Sequence, residues 1–151
     1  SFVLGYNYAI ELFNSIYGKD AKPGDLKAEK EKLTAVLLAT IPNDKGIDAT
    51  VLLTKHLYNM SSDLSIAANL AKGTKPEDVK KKADLVAQTN KQMDEFLVYA
   101  NKAVEYYDVQ ASLKPIQRAT YQELLTNMVE IYTYKKDVKK AAEFEKKKAA
   151  L

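Results

Sequence analysis

His56, the chain's single histidine, stands just ahead of Ser61, Ser62 and Asp63, so a base, a hydroxyl and a carboxylate lie within eight residues. Nucleophilic catalysis needs a base in reach of the hydroxyl and a third group to orient that base. On a helix, however, His56 and Asp63 are two turns apart, and the segment has no glycine-flanked nucleophile elbow. One histidine cannot build a His-rich metal site or the paired-histidine helix of a zinc protease. With no cysteine in the chain, thiolate ligands, thiol catalysis and disulfides are excluded together. The stretch NDKGID, Asn43 to Asp48, lacks the alternating oxygen ligands and terminal Glu of a calcium loop. Glu77-Asp78 and Asp94-Glu95 are adjacent positions that point apart on a helix, so neither is an acid/base dyad. No Gly-rich loop is placed to cradle phosphate. These residues predict a chain without catalysis, metal or cofactor.

Tyrosine is the unusual residue type, with ten copies against four Phe and no Trp. A tyrosine joins a large apolar face to a hydroxyl that needs a partner, so it serves both cores and interfaces. Each of the ten has those two uses open to it.

The 151 residues suffice for one domain with a substantial core. Apolar residues make up 46% and charged residues 28%, which separates the chain from disordered and membrane-spanning classes. No apolar run approaches the roughly 18 residues of a spanning helix. The opening SFVLGYNYAIELF has neither the basic start nor the small-residue cleavage site of a signal peptide. Absence of an initiator Met predicts a mature or trimmed product. Net charge is only +3, yet between Lys135 and Lys148 seven lysines face three acids. Lys136, Lys139, Lys140 and Lys147 share one side of a predicted last helix whose other side is Val138, Ala141, Phe144 and Ala149. A solvated capping face is the expected role. Contact with nucleic acid or an anionic membrane is the sharper alternative, opposed by a single arginine, Arg118, and by the lack of a large apolar face to insert. Stacking on a further segment of a parent protein is a third.

Five Gly and four Pro among abundant Ala, Leu, Lys and Glu favour helices over sheet. Pro23 and Pro76 each start a helix after a Gly-containing turn, with acids in the first turn where they complement the helix dipole. Pro42 and Pro115 fall in connectors. With apolar spacing these marks predict six helices: Phe2–Tyr17, Gly24–Ile41, Asp48–Lys72, Pro76–Ala111, Pro115–Tyr134 and Asp137–Ala150. The second has a core stripe of Leu33, Val36, Leu37 and Thr40. The fourth has Val79, Ala83, Val86, Asn90, Met93, Leu97 and Ala100. Short turns pair the helices into three antiparallel hairpins, 1–41, 48–111 and 115–151, within one all-α domain. KDAKPGDLK from Lys19 and KGTKPEDVK from Lys72 agree at five of nine positions, 53 residues apart, and each sits at a hairpin tip. Repeated helical hairpins are the mark of an α-solenoid.

Leu4-Gly5-x-x-Tyr8 resembles the first-helix motif of tetratricopeptide repeats (TPR), and Ala141 with Phe144 resembles its second-helix motif. Met128, Val129 and Tyr132 match first-helix positions, Ala103, Tyr106 and Tyr107 a second helix, and Leu53-Thr54-x-x-Leu57 a weaker first helix. Thr54 and Val129 stand where the family has Gly, and the first two hairpins exceed its usual repeat length. The similarity spans nearly the whole chain and is greatest to the divergent, long-helix repeats of exported bacterial TPR proteins. It implies an α-α superhelix of TPR-like hairpins, part of a longer exported or periplasmic protein, serving as a scaffold for protein–protein contacts without catalysis or cofactor. The family's inner face, carried over residue by residue, implies a partner groove of Tyr6, Ile10, Lys55, Tyr58, Asn59, Glu130, Thr133 and Tyr134. Its asparagine would bond a peptide backbone and Lys55 would meet an acid. The alternative function is a purely structural helical domain that orders a neighbouring segment or self-associates. Neither nucleic acid nor membrane insertion is expected.

Overall fold

A computed structural model describes residues 2–22, 26–43 and 46–151. The helix start expected at Pro23–Gly24 and the connector residues Asp44 and Lys45 lie outside the described residues. The fold is all-α: α1 Phe2–Tyr17, α2 Lys27–Thr40, a 3-10 turn Ile41–Asn43, α3 Asp48–Leu70, α4 Pro76–Asp108, α5 Pro115–Tyr134 and α6 Val138–Ala149. Among the described residues there are six α-helices, as the proline and periodicity pattern predicts, with α3 and α4 ending two and three residues early.

Local chemistry explains most of the boundaries. Pro76 and Pro115 open α4 and α5 at positions where a missing N–H costs nothing, each preceded by an extended lysine. Gly73, in the turn before α4, has φ +130°, and a Cβ there would meet the Asp78 carboxylate at 2.3 Å; only glycine fits this corner. The α5–α6 turn is built without one. Lys136 takes φ 60°, its N–H bonds Thr133 O at 3.0 Å, and Asp137 N–H bonds Tyr132 O at 2.9 Å. This is the pair of bonds that closes a Schellman cap. Asp137 then caps α6, its carboxylate accepting the Lys140 N–H at 3.1 Å.

The chain divides into two compact units, Ser1–His56 and Leu57–Leu151, with the division inside α3. In the first unit α1 packs on α2 around Ala9, Leu33, Leu37 and Leu53, all without solvent exposure. Gly5 permits the approach, since a Cβ at that position would lie 2.7 Å from Thr40 Oγ1. That hydroxyl is held by donation to Val36 O at 2.7 Å. His56 is fully buried here. Its Nε2 lies 3.0 Å from Lys30 O and 2.8 Å from Thr34 Oγ1, and its Nδ1 lies 2.9 Å from the Tyr17 hydroxyl. A carbonyl can only accept, so Nε2 carries the proton and Nδ1 accepts from tyrosine.

The second unit packs α4 on α5 and α5 on α6, around Phe96, Ala100, Ala103, Leu125 and Met128. Tyr107 stacks on Tyr121 at 4.8 Å and Tyr132 on Phe144 at 5.4 Å. These tyrosines take the core use of the residue. The α4 stripe needs correction. Val79 is 57% exposed and Ala83 is exposed, and the buried positions begin at Thr89 and continue through Met93, Phe96, Ala100, Ala103, Val104 and Tyr107. The sequence stripe shares Met93 and Ala100 with this face but runs one residue off it at Asn90 and Leu97, and its first members, Val79 and Ala83, keep the helical period while lying exposed. Asn90, its polar member, donates to Val86 O at 3.1 Å. On α6, Phe144 is buried, but Val138, expected on the same apolar side, is 77% exposed.

Candidate functional site

In the second unit a part-open cleft of about 170 Å³ lies between α3, α4 and α5. From α3 it takes Tyr58, Ser62, Ser65 and Ile66, from α4 Met93, and from α5 Glu130, Ile131 and Tyr134. Spacings of four, seven and eight residues from Tyr58 are those of one helix face, so a single stripe of α3 forms one wall. Glu130 and Tyr134, four residues apart, form the other wall for the same reason, and the buried Ile131 joins Met93 at the floor. Met93 and Ile131 are buried, whereas Ile66, Glu130 and Tyr134 are exposed at the rim.

The walls are joined at one point. The Tyr58 hydroxyl donates to the Glu130 carboxylate, and the Tyr58 ring tilts against Phe96 of α4 with centroids 6.0 Å apart. Burial, followed by the Glu130 hydrogen bond and charge, pushes the Tyr58 phenol up to about 12. The phenol is thus a neutral donor across the physiological range. Just past the cleft, Lys135 reaches Asp94 at 2.7 Å, which engages the adjacent ammonium with a carboxylate other than Glu130.

Three of the residues implied as a groove, Tyr58, Glu130 and Tyr134, line this cleft together. Asn59 and Thr133 neighbour them in sequence without lining it, and the Thr133 hydroxyl is turned to its own helix, donating to Val129 O at 2.7 Å. Tyr6, Ile10 and Lys55 belong to the first unit, where Tyr6 stacks on Phe2 at 5.4 Å. Ser62, Ser65, Ile66, Met93 and Ile131 were not among the implied residues. The signal for the first three was their helical spacing from Tyr58, hidden for Ser62 and Ser65 because serine at such positions is indistinguishable from a solvated face.

Other reactive-looking side chains have structural partners. Ser61 is buried and donates to Leu57 O at 2.8 Å, and His56 is bonded to α1 and α2 as described. Asp108 accepts from the Tyr121 hydroxyl at 2.5 Å and from Lys147 Nζ at 2.8 Å, tying the end of α4 to α5 and α6. Lys147 is therefore a packing lysine, while Lys136, Lys139 and Lys140 are exposed. Among the described residues no group of three or more His, Asp or Glu is placed to hold a metal ion, and no helix is long and apolar enough to cross a membrane. Comparison with known protein families, curated proteins and solved structures found no match.

Proposed function

We propose that the chain is a non-catalytic protein- or peptide-binding module and that the cleft between α3, α4 and α5 is its recognition surface. One observation carries this reading: Tyr58 and Tyr134 frame an apolar floor of Met93 and Ile131, with the Ser62, Ser65 and Glu130 side chains on the walls. Aromatic rings over an apolar floor, edged by a few hydrogen-bonding groups, have the make-up of a peptide-recognition surface. The hydroxyls and carboxylate supply donors and acceptors for an extended backbone or a polar side chain. The close approach of α1 to α2 at Gly5 supports the TPR-like reading, since that is the use the first-helix glycine serves in the resemblance.

The test is selection from a displayed random-peptide library on the intact chain and on a Tyr58→Ala/Tyr134→Ala variant, with helical circular dichroism and melting compared first. A common motif selected by the native chain and lost by the folded variant is the expected result. The same motif from both proteins, or no enrichment on the native chain, would remove the cleft from consideration.

The second reading, a structural helical domain that orders a neighbouring segment or self-associates, is supported by the exposed apolar residues Ile66, Leu70 and Val79 around the α3–α4 turn. Light scattering across a wide concentration range separates the two, because self-association gives a rising mass and a binding module a constant one.

A further inference from the structure

The chemical class of the ligand can be taken further, resting on the cleft as a recognition surface. We infer that the cleft takes the cationic side chain of a lysine or arginine from its partner, with Glu130 as counter-charge and Tyr58 and Tyr134 as the aromatic faces around it. Among the residues lining the cleft, Glu130 is the one that bears charge, and no lining residue is basic. Its carboxylate offers about four lone-pair directions, of which the Tyr58 phenol uses one. The ammonium of Lys135, the residue that follows α5, is placed on Asp94 at 2.7 Å. The phenol that donates to Glu130 fixes the carboxylate against the α3 wall before a ligand arrives, which lowers the ordering cost of binding.

Size and lining agree with the charge. About 170 Å³ is below the roughly 300–1,000 Å³ of pockets that enclose drug-sized ligands and suits one long side chain. The apolar stem of Lys or Arg would lie along Met93, Ile131 and Ile66 while its head reaches Glu130. Two tyrosine rings beside a carboxylate favour a cation, through ring quadrupole and charge together. An acidic or purely aliphatic side chain would leave Glu130 repelled or unanswered. The recognition residue expected on the partner is therefore basic, opposite in sign to the acid that Lys55 was expected to meet.

The test uses capped pentapeptides of sequence Gly-Ser-X-Ser-Gly, with X as Arg, Lys, Leu or Glu, titrated into the intact chain at millimolar concentration while the ring signals of Tyr58 and Tyr134 are followed by NMR. Arg and Lys peptides should move both rings, Leu and Glu peptides several-fold more weakly. Glu130→Gln, which keeps an oxygen to accept from Tyr58, should weaken the Arg peptide by roughly fivefold, and raised salt should weaken it in the native chain. Equal shifts from all four peptides, or a preference unchanged in Glu130→Gln, would overturn the basic-side-chain inference while leaving the cleft as a peptide site. Rings that respond to none of the peptides would overturn the inference and the cleft reading together. Tyr134→Ala, at an exposed position where folding is not at stake, should cost the Arg peptide affinity, and no loss there would also count against the inference.

Discussion

His56 shows how far a single residue's role depends on its surroundings. Burial, opposed by the hydrogen bond to Lys30 O, lowers its pKa from 6.5 to about 4. The fold holds the neutral ring, whereas the unfolded chain takes up a proton below about pH 6.5. Stability from this group is therefore complete above that pH, declines as pH falls towards 4, and levels off below. The full loss approaches roughly 3 kcal/mol. Urea melts at pH 7 and pH 4.5 should show a larger drop for the native chain than for His56→Gln, whose slope reflects the carboxylates alone; equal drops would contradict the buried neutral ring. In the sequence His56 stood beside Ser61, Ser62 and Asp63, and catalysis was the first question to ask. Its actual partners, Tyr17, Thr34 and Lys30, come from other helices, so no local pattern could display them. The same limit applies to Tyr58 and Glu130, 72 residues apart. Both were implied through a family resemblance, but their mutual bond could be seen only once α3 and α5 were packed.

At the scale of elements, legibility follows the strength of local chemistry. Pro76 and Pro115 announce helix starts because the ring presets φ, and both lie at the first helical turn. The α5–α6 turn carries no such mark. Its left-handed residue is Lys136, where glycine is the usual choice. A Cβ in that conformation costs about 1–2 kcal/mol, part of which glycine returns as unfolded-state entropy. Lys136→Gly should consequently raise stability by roughly 1 kcal/mol in a chemical-denaturation curve, with unchanged helical signal. A neutral or destabilising result would mean that the lysine side chain contributes packing that offsets its backbone strain. The α4 register is obscured for the opposite reason. Val79, Ala83 and Val86 complete a convincing periodic stripe, and periodicity shows which residues share a face without showing whether any neighbour extends far enough to cover it.

On the scale of the whole chain, helical content and number are readable because propensity and proline placement agree. The division into two units inside α3 was not, since α3 is a continuous helix with apolar residues on both sides of His56 and Leu57. Length distributes stability unevenly over such a molecule. The stretch of α4 from Pro76 to Gln88, thirteen residues, precedes the first buried position at Thr89, and helices of fewer than about 12–15 residues are marginal in water without tertiary support. Amide hydrogen exchange should therefore be graded along this one helix: fast through its first three turns, at free energies near local fraying, and slow from Thr89 onward, near the global value. Uniform slow exchange would show that the early turns have support beyond their own backbone bonds. If the gradient holds, α4 is a rigid strut for one part of its length and a reversible spring for the other, so its free end can reshape itself at little energetic expense while the cleft around Met93 stays fixed.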